Sequence, residues 1–231
     1  KHWDDEPFDA IVSNPPYSIK WAGKSNPLLI NDERFAPAGV LAPESKADLA
    51  FTMHMLSWLS PKGTAAIVEF PGVLYRGGAE QKIRQYMVDN NFVDAVIQLP
   101  SDLFFGTSIA TCILVLKKNK SDNNILFVDA SSECVRNTNK NKLSEENINN
   151  IINLLKDRKS VENKTYLATY EEIKDNDYNI SVNSYLRANT EDKKIDINEV
   201  NRKLAEIVPR QQQIREELEE IIKELEVDYH E

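Results

Sequence analysis

The chain is short of the residue types that build metal centres and disulfide frameworks. It has two cysteines in 231 residues, Cys112 inside an apolar run and Cys134 in a polar one, and its three histidines, His2, His54 and His230, are scattered. Neither group has ligand spacing, so no structural metal and no disulfide are expected. Long apolar runs are missing too. Nothing approaches the roughly 20 residues of a membrane span. Lys1-His2-Trp3-Asp4-Asp5 is neither a signal peptide nor a natural translation start. The expectation is a cytoplasmic chain that is a piece of something longer. Positive charge is also scarce, with 28 Lys and Arg against 37 Asp and Glu, for a net charge of −9. That balance argues against a free-standing nucleic-acid binder. The deficit is uneven, however. From Asp196 onward there are eleven acidic and five basic residues, which leaves the earlier part nearly balanced and able to meet nucleic acid beside a separate basic partner.

What the chain does have is an alternation of strand and helix patterns. Phe8-Asp9-Ala10-Ile11-Val12 reads as a buried strand that stops at Ser13-Asn14-Pro15-Pro16-Tyr17, because two consecutive prolines can continue neither a strand nor a helix. Residues 18–46 carry Gly, Pro, Ser and Asn without a sustained period and read as a long loop. Leu49, Ala50, Met53, Leu56 and Leu59 then recur at helical spacing over 46–59, ended by Ser60-Pro61-Lys62-Gly63. A near-continuous apolar strand follows over 64–70, then a helix over 79–89 with Ile83, Tyr86 and Met87 inward, then a strand over 92–99. This is the signature of an open α/β sheet. The residues between Leu99 and Ala110 leave no room for a crossover helix. The strand over 111–116 is therefore predicted to return antiparallel, closing a parallel sheet with a hairpin at one edge.

Further along, 125–130 reads as one more strand. Residues 144–159 read as a capped surface helix with Ile148, Ile151, Ile152 and Leu155 inward. The polar stretch 160–190 reads as a connector packed on the domain. In the tail, Ile197, Val200, Leu204, Ile207, Gln211, Ile214, Leu218, Ile221 and Leu225 are spaced alternately three and four, a four-heptad coiled-coil seam with one polar position and a bend expected at Pro209. The divisions that result are a core over 1–131, a helical connector over 132–190 and a coiled-coil helix for assembly over 191–231.

The most informative tetrapeptide is Asn14-Pro15-Pro16-Tyr17. It resembles motif IV of the adenine-amino methyltransferases, where Asp, Asn or Ser precedes Pro-Pro-aromatic after a central strand. The chemistry accounts for the residue types. An exocyclic amine conjugated to an adenine ring is a poor nucleophile, because its lone pair is delocalised into the ring. Accepting hydrogen bonds from both of its N–H groups shifts it toward a tetrahedral geometry. On the resemblance, Asn14 supplies the side-chain carbonyl on the methyl-donor side and Pro15 a backbone carbonyl. Pro16 with Pro15 holds the loop in one conformation. Tyr17 stacks on the target base once the base has left the duplex. A second aromatic comes from the loop Asp102-Leu103-Phe104-Phe105-Gly106-Thr107, with Phe105 the candidate and Phe104 the fallback. Plainer readings stand beside these. A bare Asn-Pro-Pro-Tyr is a turn with an exposed aromatic, and Phe104 and Phe105 can simply pack the loop. Asp48 suits a helix N-terminus through the helix dipole, and His54 is a satisfied core or edge histidine.

Release-factor glutamine methyltransferases share the tetrapeptide, so it does not choose a substrate alone. The wider match does. Ala47-Asp48-Leu49-Ala50-Phe51, Gly63-Thr64-Ala65-Ala66-Ile67-Val68, Val73-Leu74-Tyr75-Arg76-Gly77-Gly78-Ala79-Glu80 and Lys82-Ile83-Arg84 resemble the modification subunit of type I restriction-modification systems. So do Val96-Ile97-Gln98-Leu99-Pro100, Thr111-Cys112-Ile113-Leu114-Val115-Leu116, Ile125-Leu126-Phe127-Val128-Asp129-Ala130-Ser131 and Asn176-Asp177-Tyr178-Asn179-Ile180. The resemblance implies the C-terminal half of a Rossmann-like, S-adenosylmethionine-dependent methyltransferase sheet. Its partners would be DNA, a specificity subunit that reads the sequence, a second modification subunit and, in some assemblies, a restriction subunit. The chain departs from the family at its front. All seven glycines lie downstream of the tetrapeptide, so the family's cofactor loop is not matched. The S-adenosylmethionine site is expected to be incomplete and the chain by itself inactive. The rival readings are protein glutamine methylation, against which the heptad tail counts, and a non-catalytic assembly module.

Overall fold

The computed structural model describes residues 6–105, 108–186 and 197–227, with side chains in the last stretch described at 201, 202, 204–219, 221 and 222. Gly106 and Thr107 of the aromatic loop, His2 and His230, and the Ile197, Val200 and Leu225 side chains of the heptad seam lie outside the described residues. The chain divides into two compact units, residues 1–189 and 190–231.

In chain order the first unit comprises β1 (Phe8–Ser13), α1 (Asp48–Trp58), β2 (Leu59–Glu69), α2 (Ala79–Asp89), β3 (Val93–Gln98), β4 (Cys112–Lys117), β5 (Ile125–Asp129), β6 (Val135–Asn137), β7 (Lys140–Lys142), α3 (Glu145–Asp157), β8 (Thr165–Ala168), α4 (Tyr170–Asp175) and α5 (Asn183–Leu186). Six strands form one sheet in the order β1-β2-β4-β3-β5-β8, and β6 and β7 pair as a separate hairpin. The pairs β1–β2 and β3–β5 are parallel, and β4 runs against both β2 and β3. Thus β1, β2, β3 and β5 share one direction, and their C-terminal ends lie at one end of the sheet.

The alternation read from the sequence is present, and α2 spans the residues expected. The expected edge hairpin is corrected. β4 does return antiparallel from β3, but it is inserted between β2 and β3. Its side chains explain the position. Cys112, Leu114 and Leu116 are buried in the core on one face, while Ile113 and Val115 pack into a second core on the other. A strand that is apolar on both faces is stabilised only where both are covered. β5 follows the same rule, with Ile125 and Phe127 in the first core and Leu126 and Val128 in the second.

β1 is the second correction. Read as a buried strand, it is instead largely exposed, with Val12 at 85% and Phe8 at 46% of full exposure. It pairs only with β2 among the described residues, so an apolar sequence does not bury it. β2 starts at Leu59 rather than at Thr64. Phe8 pairs with Leu59 and Ala10 already with Thr64, so Ser60 to Gly63 form an irregular excursion within the ladder.

The third concerns the region from residue 132 onward. α3 carries the expected cap, in which the Ser144 hydroxyl accepts from Asn147 N–H at 3.2 Å and the Asn147 amide oxygen accepts from Ser144 N–H at 3.0 Å. Ile151 is buried, but Ile148 and Ile152 remain about two-fifths exposed at 42% and 39%. The stretch read as a connector supplies β8 to the sheet, against β5. It also brings Ile173, Ile180, Val182 and Leu186 into the main core.

The second unit contains α6 (Ile197–Val227), a single helix that passes through Pro209. Leu204, Ile207, Ile214, Leu218 and Ile221 on it are each more than half exposed. Among the described residues no helix is long and apolar enough to cross a membrane.

Candidate active site

Asn14-Pro15-Pro16-Tyr17 leaves β1 at the C-terminal end of the shared strand direction, the end at which open α/β sheets bind ligands. The segment 70–78 after β2 and the loop 99–111 after β3 emerge at the same end. Within the tetrapeptide Pro15 is buried, Tyr17 half-buried, and Asn14 and Pro16 exposed. The Tyr17 hydroxyl donates to Asn14 Oδ1 at 2.8 Å. An amide oxygen has two lone pairs, so Asn14 keeps one for a further donor.

The way out of this loop is stitched to the start of α1. Ser18 N–H donates to Asp48 Oδ1 at 2.8 Å, Ala47 N–H to Ile19 C=O at 2.9 Å, and Trp21 N–H to Glu44 C=O at 3.0 Å. Ser18 itself adopts a left-handed backbone with φ of 52°. Asp48, Glu69 and Thr111 are almost wholly buried in this region. Glu69 closes β2 and is the register partner of Cys112 on β4. One Glu69 oxygen accepts from the Thr52 hydroxyl of α1. Asp48 Oδ2, Glu69 Oε2 and Thr111 Oγ1 have no partner among the described residues.

The electrostatics follow from this burial. Burial first, then neighbouring Glu69, Cys112 and Asp48, push the Tyr17 phenol up to about 12, so its hydroxyl stays protonated as a donor. Burial likewise pushes the Glu69 carboxyl up to about 8, reinforced by Asp48 and Glu80 and opposed by the Thr52 hydrogen bond. The Cys112 thiol is raised by burial and by Glu69.

The two aromatic candidates in the loop after β3 separate. Phe104 packs against the second core, whereas Phe105 is fully exposed at 100%. The β6–β7 hairpin steadies this loop: Asn141 donates to Ser101 C=O at 2.8 Å and to Asp102 C=O at 3.0 Å. His54, expected to be satisfied, stacks on Phe35 at 5.5 Å but has no partner for Nδ1 among the described residues. Among the described residues no His, Cys, Asp and Glu cluster is built to hold a metal.

Sequence reading missed the Asp48–Ser18 contact and the Glu69–Thr52 pair. Glu69 carried a signal, as the one charged residue in the apolar run Thr64 to Phe70. As it stands, the site offers an exposed amide oxygen with spare acceptor capacity beside an aromatic ring, with a second free ring at the same end of the sheet. That set can accept N–H groups from a planar ring and stack on it.

Comparison with known proteins bears on the family. The type I restriction enzyme MpnII methylase subunit of Mycoplasma pneumoniae is 48% identical over 223 residues, covering 96% of this chain and 41% of that protein. The MjaVIII methylase subunit of Methanocaldococcus jannaschii is 35% identical over 204 residues, covering 85% and 35%. A crystal structure of the type I restriction-modification system methyltransferase subunit from Streptococcus thermophilus matches with a TM-score of 0.75 at 42% identity, over 78% of this chain and 38% of that one. The chain thus spans about two-fifths of the length of these relatives or less. The family described as N-6 DNA methylase matches residues 1–194, and the chain belongs to that family.

Proposed function

We propose that this chain is the target-base half of an enzyme that methylates the exocyclic amino group of adenine in DNA, acting as part of the modification subunit of a type I restriction-modification complex. The observation that carries the reading is the placement of Asn14-Pro15-Pro16-Tyr17 at the ligand-binding end of β1, its amide exposed and its ring half-buried. Asn14 Oδ1 accepts one amine N–H, and the Pro15 carbonyl accepts the other. The two prolines keep the acceptors fixed, so their ordering cost is met on folding rather than at each turnover. Tyr17 stacks on the extruded base and Phe105 offers a second ring, which replaces part of the lost base stacking. The names of the similar proteins, methylase subunits of type I restriction enzymes, support the same reading.

S-adenosylmethionine supplies the methyl group on this reading, but the described residues do not build its pocket. The groove of about 400 Å³ along β1 and α1 is lined by Phe8, Ala10, Ile11, Val12, His54, Met55 and Trp58. It presents no acidic side chain for a ribose and no glycine-rich turn for a close backbone approach. Asn14 is the residue left to face the donor, and the chain alone is inactive. Sequence choice belongs to a specificity subunit, which also brings most of the phosphate-binding charge that this acidic chain lacks. The exposed line Leu204, Ile207, Ile214, Leu218 and Ile221 on α6 is the coiled-coil seam that holds the modification subunits in the assembly.

The test is transfer of labelled methyl from S-adenosylmethionine to adenine-containing duplex DNA by the full-length subunit, with and without its specificity subunit. Label at adenine only with the partner supports both the chemistry and the division of labour. No label under any pairing removes the reading in favour of glutamine methylation or a purely structural module.

A further inference from the structure

Asp48 is the first residue of α1, and its position alone would suit an acidic residue in the first turn of a helix. Its contacts say more. Ala47, at the helix cap, makes no side-chain capping bond. Asp48 is 1% exposed, and its Oδ1 is engaged 30 residues away by the Ser18 amide. Ser18 directly follows Tyr17 and holds a left-handed backbone, which is strained for a residue with a Cβ and persists only where its surroundings enforce it. The bond to Asp48 is one such enforcement, and the Ala47–Ile19 and Trp21–Glu44 bonds extend it into a short ladder. The other Asp48 oxygen has no partner among the described residues, a loss that a merely dipole-compensating residue on the surface would not incur.

We propose that Asp48 is the positioning residue of the catalytic loop: by accepting the Ser18 amide it sets where Asn14 and Tyr17 stand relative to the target base. The proposal rests on the adenine-methylation reading above. The acceptor atom, rather than the charge, does the work, so Asn at this position retains the function and Ala loses it. Asp48 touches neither base nor donor. Its effect runs through the geometry of Asn14, whose hydrogen bond matters most as the amine becomes tetrahedral, and it therefore falls on kcat rather than on KM.

The experiment compares Asp48→Ala, Asp48→Asn and Asn14→Ala in the full-length subunit with its specificity partner. It measures kcat and KM for methyl transfer to duplex DNA, together with amide exchange at Ser18. Asp48→Ala is expected to lose about 10- to 100-fold in kcat, the scale of a misplacement near 1 Å. KM is expected to change little, and the Ser18 amide to exchange faster. Asp48→Asn is expected to restore both kcat and protection. The proposal is overturned if Asp48→Ala keeps its kcat while Asn14→Ala is inactive, or if Asp48→Asn is as damaged as Asp48→Ala, since charge would then be what matters. A wild-type complex that transfers no methyl defeats the functional reading instead. In that case equal Ser18 exchange in wild type and Asp48→Ala still defeats the positioning contact on its own.

Discussion

β1 and β5 are both short apolar strands, Phe-Asp-Ala-Ile-Val-Ser against Ile-Leu-Phe-Val-Asp, yet they sit in opposite circumstances. Every side chain from Ile125 to Val128 is fully buried between strands and beneath two cores, whereas Val12 and Phe8 stand out from a strand with one neighbour among the described residues. The difference lies in neighbours rather than composition. It teaches that the strand carrying the candidate chemistry is among the least supported by the described fold, while the strands that hold the fold carry no candidate reacting group. Chemistry and stability should therefore separate under mutation.

The largest effect tests the stable side. Phe127 is fully buried and stacks on Tyr185, with ring centroids 4.0 Å apart and planes 6° from parallel. Phe127→Ala is expected to cost about 3–5 kcal/mol by urea denaturation. A loss under about 1 kcal/mol would mean that the second half of the sheet is not the stable half. Next comes the loop. Asn14→Ala in the full-length complex is expected to lower kcat by about 10²–10³-fold, as for loss of one donor or acceptor aimed at a transition state. Stability should change little, because the side chain is exposed. Near-normal turnover, or a stability loss like that of Phe127→Ala, would collapse the separation.

A smaller effect probes the join between the two regions. At Gly63 an added Cβ would meet the Phe8 carbonyl oxygen at 2.8 Å and Leu59 Cδ1 at 2.7 Å. One is backbone and the other a buried side chain, so neither yields easily. Gly63→Ala is expected to cost about 1–3 kcal/mol, and to speed amide exchange in β1 more than in β3. Uniform loosening across the sheet would show that β1 is not an independently weak element.

The same comparison explains what was legible in the sequence. Alternation of buried runs with helical spacing gave strands and helices in the right order, because burial on both faces leaves a continuous apolar run. The direction of β4 followed from a loop too short for a crossover, but its place did not, since no local signal says which strands flank an antiparallel return. The run from Cys112 to Leu116, apolar at every position, did carry a hint of an interior strand. β8 was missed because Thr165-Tyr166-Leu167-Ala168 is four residues in a polar stretch, held by pairing with β5. At the site, the tetrapeptide was legible from residue types alone. Asp48 was not, because its partner lies across a loop without period. Nor was Glu69 read as a partner of Thr52, since that pairing joins a strand end to the face of a helix.

Glu69 gives the last prediction, and it places the two regions on one pH axis. Its carboxyl lies at the end of β2, 0% exposed, with Thr52 on one oxygen and, among the described residues, no partner on the other. Asp48 and Glu80 disfavour its charge, whereas Thr52 and the Phe70 amide favour it. Burial outweighs them all and raises the carboxyl from 4.5 to about 8. The folded chain thus holds a proton here that the unfolded chain releases above about 4.5. This contribution to stability is full below that pH, declines as pH rises, and is exhausted once pH passes about 8. Glu69→Gln keeps an oxygen for Thr52 and has no proton to lose. Wild type should fall relative to the variant by roughly 1 kcal/mol per pH unit across that window, read from urea denaturation at pH 5, 7 and 9. Parallel curves would mean that the carboxyl finds water or a donor beneath the Tyr17 loop, and that the acidic group under the chemistry is less dry than the core of β5.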